Sequence, residues 1–91
     1  MNRIEEVLGI LQEECAEVVQ AVSKCNRFGL DNRKPGKPLT NAEHLEVELG
    51  DLLAMVDILL EQGVLKQANL DTAIKNKKEK LKKWSNIYES N

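Results

Sequence analysis

Two short acidic clusters hold the side chains of this sequence best suited to chemistry. In Glu48-Leu-Gly-Asp51 two carboxylates stand three residues apart, and Glu13-Glu-Cys-Ala-Glu17 repeats that interval with Glu14 and Glu17, Glu13 coming one position earlier. Residues three apart share a helix face, so each cluster aims two carboxylates in one direction. At about 100° per residue, Leu45, Leu49, Leu52, Leu53, Val56, Leu59 and Leu60 form a broad apolar arc, which Met55 and Ile58 extend on one side. Glu48 and Asp51 fall inside that extension, whereas Glu46, Asp57 and Glu61 occupy the opposite, wetter face. Adjacent carboxylates drawn toward an apolar contact repel each other and lose hydration, so they need a cation or a proton. The plainer arrangement is an ion pair with Lys or Arg from another helix.

The first cluster favours the metal. Its helix carries an apolar stripe through Ile4, Val7, Leu8, Leu11, Cys15, Val18, Val19 and Val22, the spacing of an amphipathic helix. Glu14 lies on the edge of that stripe and Glu17 beside it, so two antiparallel helices would bring Glu14, Glu17, Glu48 and Asp51 to one point. Four oxygen ligands without His or Cys suit a hard cation, Mg²⁺ or Mn²⁺, of the kind that keeps waters and takes up phosphates. A di-iron bundle uses Glu-x-x-His pairs, and the single histidine, His44, does not follow a glutamate by three.

A Glu-Glu-x-x-Glu motif followed some thirty residues later by Glu-x-x-Asp, both on helices of a small all-α chain, resembles the MazG-like nucleoside triphosphate pyrophosphohydrolases. That superfamily includes dimeric dUTPases, dCTP pyrophosphatases and phosphoribosyl-ATP pyrophosphohydrolases, and the resemblance extends over most of the chain. It implies water attack at the α-phosphorus of a nucleoside triphosphate, yielding a monophosphate and pyrophosphate. Glu14, Glu17, Glu48 and Asp51 would hold Mg²⁺, and Glu13 or Glu14 would act as general base. It also implies active sites near subunit interfaces. A basic-aromatic-glycine stretch like Arg27-Phe28-Gly29 follows the first helix in relatives, and Lys or Arg with a nearby Asn occurs on the last helix.

With 91 residues, of which 42% are hydrophobic and 31% charged, the composition predicts one soluble, cytoplasmic globular domain with a thin core that oligomerisation would supplement. No apolar run reaches membrane-spanning length, and the amino terminus lacks a signal-peptide pattern. Cys15 and Cys25 sit ten residues apart on one helix and cannot meet in a disulfide. Cys15 is expected in the core, and two Cys with one His make no zinc site.

The pattern predicts three helices. The first runs from about Asn2, its cap, to about Cys25. A loop over Asn26 to Leu39 follows, with both prolines, two glycines and four basic residues. Its length in so short a chain suggests a use, and Lys24, Arg27 and Phe28 are candidates to hold a nucleotide by phosphate charge and base stacking. Thr40-Asn-Ala-Glu43 has the form of a capping box, starting a second helix to about Gln62, ended by Gly63. His44 is expected as an exposed residue of its first turn. A third helix, capped by Asn69 or Asp71, reaches about Tyr88 and carries six lysines between Lys75 and Lys83. That run is either a solvated face or, through Lys77, Lys78 and Asn76, a hand reaching the triphosphate.

Residues 1–63 carry 6 basic and 12 acidic side chains and residues 64–91 carry 7 and 3, so the two parts are oppositely charged. A net charge of −2, a basic patch confined to one helix and three aromatics in all argue against nucleic-acid binding. The expected architecture is an α-helical hairpin plus a third helix, completing four-helix bundles as a homodimer or homotetramer, because the apolar arc of the second helix is wider than one neighbour covers. Two rival functions share these features. One is a non-catalytic helical interaction module, whose acidic clusters pair with lysines of a partner; the other is a nucleotide-binding regulator with little turnover.

Overall fold

The computed structural model describes residues 2–89, which form three α-helices: α1 (Arg3–Phe28), α2 (Asn41–Glu61) and α3 (Gln67–Trp84). The described residues contain no strand. Asn2 caps α1 through its side-chain oxygen, which accepts from the Glu5 amide at 2.8 Å, while the Glu5 carboxylate accepts from the Asn2 amide. The helix passes the expected end at Cys25 and stops at Phe28, where Gly29 takes a φ of +93° and its amide bonds the Cys25 carbonyl. That backbone favours glycine.

The capping box at α2 is present in full: the Thr40 hydroxyl accepts from the Glu43 amide and the Glu43 carboxylate from the Thr40 amide. The connector from Gly29 to Thr40 is folded onto both helices rather than looped out. The Asn41 amide bonds the Asn32 carbonyl at 2.7 Å, Ala42 the Leu30 carbonyl at 3.0 Å, and the buried Asn41 side chain the Gly29 carbonyl at 2.9 Å. Arg33 Nη1 ties the chain across to the Pro38 carbonyl at 2.9 Å.

α1 and α2 pack as a hairpin around Val7, Met55 and Leu59, with Ile10, Leu11, Ile58 and Leu65 against them. Farther along, Ala21 and Cys25 are buried on the same side of α1. Val7, Leu11, Glu14, Val18, Ala21 and Cys25 thus follow the alternating three and four spacing of a helix seam. Cys15 lies off this line and is exposed, so Cys25 takes the core position expected of Cys15. On α2 the face turned to α1 is the flank with Met55, Ile58 and Glu48, while much of the broad leucine arc is left open: Leu53 is 57% exposed and Leu49 38%.

α3 begins two residues before Asn69 and ends four before Tyr88. Its first turn has no side-chain cap on Lys66, and Asp71 instead accepts from the Gln67 side chain at 2.8 Å. Ser85, in extended backbone, closes the helix, and its hydroxyl oxygen accepts from the Ile87 amide. No residue of α3 is buried, and Trp84 is 75% exposed. The Cα radius of gyration is 16.2 Å, against about 12 Å for a compact chain of this length. The molecule is a flat slab of 40 × 39 × 15 Å, with a third helix that finds no core of its own. No helix among the described residues is long and apolar enough to cross a membrane.

Candidate metal centre

Because the α1 seam runs through Glu14 and the α2 seam through Glu48, packing of the hairpin draws these two carboxylates together. Asp51, one turn beyond Glu48, joins them, and one oxygen from each of the three lies within 4.8 Å of the others. Glu14 and Glu48 are half-buried and Asp51 is exposed. Glu17 and Glu13 are both exposed and stand outside this group. The sequence clusters therefore meet as expected in three of the four proposed ligands, while Asp51 is wetter than its place beside Met55 and Ile58 suggests.

The electrostatics follow from that crowding. The carboxyl of Glu14 is pushed above its ordinary value of 4.5, first by desolvation in the helix contact, then by the negative charges of Asp51, Glu48, Glu17 and Glu13. Among the described residues no lysine or arginine is paired with them. The one Lys or Arg ion pair among the described residues is Lys82 with Glu79 on α3, and the His44 Nε2 lies 3.2 Å from the Glu48 carboxylate. His44, read from the sequence as a plain exposed residue, is thus a partner of the cluster. Its signal was the interval of four from His44 to Glu48, which places both on one face of α2.

The donor set fits a hard divalent cation: three carboxylates from two helices, one face open for waters and phosphate oxygens, and no soft ligand. For one ion to touch all three carboxylates, side-chain rotation would have to draw their oxygens closer than 4.8 Å.

Two clefts open between the last turns of α1, the connector and the first turn of α2, and neither is lined by Glu14, Glu48 or Asp51. One, about 340 Å³, is lined by Lys24, Lys34, Lys37, Asn41 and His44 among others. The second, about 490 Å³, shares Lys24, Lys34 and Asn41 and adds Phe28, Arg33 and Pro35. Of the residues proposed to hold the nucleotide, Lys24 lines both clefts and Phe28 the larger one. Arg27 lines neither cleft and lies over the Phe28 ring at 4.9 Å. Asn76, Lys77 and Lys78 are on α3 and line neither; Lys78 belongs to a separate shallow groove with Ile74 and Tyr88.

The sequence profile of the MazG nucleotide pyrophosphohydrolase domain matches residues 3–86. The chain belongs to this family. The match takes in all three helices and both acidic clusters, and it points to hydrolysis of nucleotide pyrophosphate bonds as the chemistry of the MazG domain. No curated protein and no solved structure matches the chain.

Proposed function

We propose that this MazG domain protein is a Mg²⁺-dependent nucleoside triphosphate pyrophosphohydrolase, converting an NTP or dNTP to its monophosphate and pyrophosphate. The observation that carries the reading is the meeting of Glu14, Glu48 and Asp51 from two helices with no lysine or arginine paired to them among the described residues. Like charges held this way cost stability unless a ligand uses them, and the family supplies the ligand's chemistry.

Glu48 and Asp51, with Glu14 and, after a rotation, Glu17, would hold the ion. When bound, Mg²⁺ neutralises phosphate charge and brings a water within reach of phosphorus; Mn²⁺ fits the same oxygens. In the reaction the water oxygen bonds to the α-phosphorus, the bridging bond to the β-phosphate breaks, and pyrophosphate leaves with the electron pair. Glu13 or Glu14 would accept the water proton, Glu14 from within the cluster and Glu13 from an exposed position outside it. His44, 3.2 Å from the Glu48 carboxylate, would help to orient it. Lys24 and Phe28 lie on the substrate side, while Arg27, Asn76, Lys77 and Lys78 reach the nucleotide only through a partner subunit or a rearrangement.

Assembly is part of the proposal. A homodimer or homotetramer is supported by the exposure of Val19 at 67%, Leu53 at 57% and Leu8 at 46% on the hairpin's outer face, since such apolar surface is normally covered. A second reading, a nucleotide-binding regulator, is favoured by the openness of Asp51 and by the absence of any α3 residue around the clefts.

Alanine at Glu48 or Asp51 tests the assignment. Either substitution is expected to lower turnover by at least about 100-fold with the helical circular dichroism intact. A folded variant that keeps most of its activity contradicts it.

A further inference from the structure

α3 has no buried residue, yet its sequence is not that of a helix wetted on every side. At about 100° per residue, Leu70, Ile74, Leu81 and Trp84 form one stripe, interrupted by Lys77, and Lys75, Lys78 and Lys82 form a row along one flank of it. Row and stripe meet in a shallow groove lined by Ile74, Lys75, Lys78, Glu79, Lys82 and Tyr88. α2 carries the complementary face. Its open arc through Leu45, Leu49, Leu53, Val56 and Leu60 is flanked by Glu46, Asp57 and Glu61, all three exposed and none in an ion pair among the described residues.

Seen from the amino end, the charged row lies on the same rotational side of the apolar residues in both helices. Reversing one helix and turning it face to face brings flanks of like hand together, so the two faces match when the helices run antiparallel. One antiparallel register satisfies them throughout: Lys75 opposite Glu61, Lys78 opposite Asp57, Leu81 opposite Val56 and Trp84 opposite Leu53, each step of three or four along α3 being met by a similar step back along α2. A chain folding α3 back onto its own α2 cannot reach that register. The short turn between Glu61 and Gln67 would set Glu61 against Gln67, Asp57 against Asp71 and Leu53 against Lys75, opposing two like charges and a leucine to an ammonium. The turn is also fixed in a form that leaves the arc uncovered: the Val64 and Leu65 amides both donate to the Leu59 carbonyl, at 2.9 and 3.3 Å, Leu65 packs on the hairpin core, and Gly63 has a φ of +74°.

We infer that the open arc of α2 is the seat of α3 from a second copy of this chain, the two copies exchanging third helices about a two-fold axis so that each α3 lies antiparallel on the partner's α2. The inference does not rest on the enzymatic reading. It sets Trp84, 75% exposed, on Leu53 of the partner subunit, 57% exposed, and joins the basic part of one chain, residues 64–91, to the acidic part of the other. Lys78 thereby serves the interface, opposite a residue that lies about 9 Å along α2 from Asp51. An anionic lipid surface would answer the lysines of α3 alone and leave the arc of α2 and its acids uncovered, whereas a second copy answers both faces at once.

Charge reversal in the full chain separates exchange from any packing within one chain. Lys75→Glu/Lys78→Glu and Asp57→Lys/Glu61→Lys each oppose like charges at both exchanged contacts. Each variant alone is expected to raise the dissociation constant of the dimer at least about tenfold in sedimentation equilibrium at low salt. Mixed in equal amounts, the two variants face opposite charges at both contacts and are expected to return to the wild-type dissociation constant as a heterodimer, a rescue that pairing inside a chain cannot give and that also shows both variants to be folded. Trp84, the single tryptophan, reports the same event: its emission should move to shorter wavelength as the wild type assembles with rising concentration, and do so at higher concentration in either variant alone. Variants that assemble like the wild type, a mixture that binds no more tightly than its components, or a Trp84 emission that ignores assembly overturns the inference. A monomeric wild type overturns it as well, and if that monomer sediments with vesicles of anionic phospholipid, the lipid surface is the occupant of α3 instead.

Discussion

Glu14 is the residue on which stability and chemistry pull in opposite directions. Its carboxyl is raised by desolvation and by four neighbouring carboxylates, so in the metal-free protein its ionised form costs stability. For an acid raised on folding, that cost is full above its folded-state value and is relieved as pH falls through that value and below the ordinary 4.5. Glu14→Gln is therefore expected to raise the melting temperature of the metal-free protein at neutral pH and to lose this advantage in acid. The same substitution should abolish the stabilisation that Mg²⁺ gives the wild type and lower turnover by at least about 100-fold. Calorimetric melting curves at several pH values, with Mg²⁺ and with EDTA, check both. The two acidic clusters were legible because helical spacing alone aligns Glu14 with Glu17 and Glu48 with Asp51. The final grouping was not, since which of four carboxylates meet depends on the seam through Val7, Leu11, Val18 and Ala21, which runs beside a second apolar stripe through Leu8, Cys15, Val19 and Val22. Two adjacent stripes explain why Cys15, expected in the core, is exposed while Cys25 is buried.

At the scale of elements, helix starts were legible where side chains make the cap. Thr40 and Glu43 form their reciprocal pair, and the Thr40 hydrogen bonds hold the Glu43 carboxyl below its ordinary value. Stability from a lowered acid is present above the ordinary value of 4.5 and is lost as pH falls through the folded one. Thr40→Ala should cost about 1 kcal/mol at neutral pH, and the difference from the wild type should narrow in acid, as urea denaturation at the two pH values would record. The start of α3 was illegible for the converse reason: Lys66 offers no acceptor, so the helix begins without a signal and Asp71, a cap by type, lies inside it. The connector was recognised as a break by its prolines and glycines, yet its order depends on Asn32, Arg33 and Asn41 bonding backbone carbonyls, which composition does not encode.

The whole molecule is a hairpin with an outrigger. A radius of gyration of 16.2 Å and an α3 without a buried residue describe a chain whose apolar faces exceed what it can cover alone. The leucine arc of α2 announced this surplus in the sequence. It did not announce that the flank bearing Met55 and Glu48, rather than the centre of the arc, would face α1. Covering the arc with a second copy predicts a homodimer or homotetramer at micromolar concentration, seen by sedimentation equilibrium. Leu53→Asp, placing a charge in the open arc, should disperse it by at least about tenfold in dissociation constant; a monomeric wild type would remove assembly from the account.

The central claim is metal-dependent cleavage of a nucleoside triphosphate, and its most direct measurement is pyrophosphate release from a panel of canonical NTPs and dNTPs with Mg²⁺ and with EDTA. The account predicts stoichiometric pyrophosphate and monophosphate in Mg²⁺ and none in EDTA, with Glu48→Ala as inactive as the chelated wild type. No release from any nucleotide, together with no Mg²⁺-dependent rise in melting temperature, would contradict it and leave a helical interaction module.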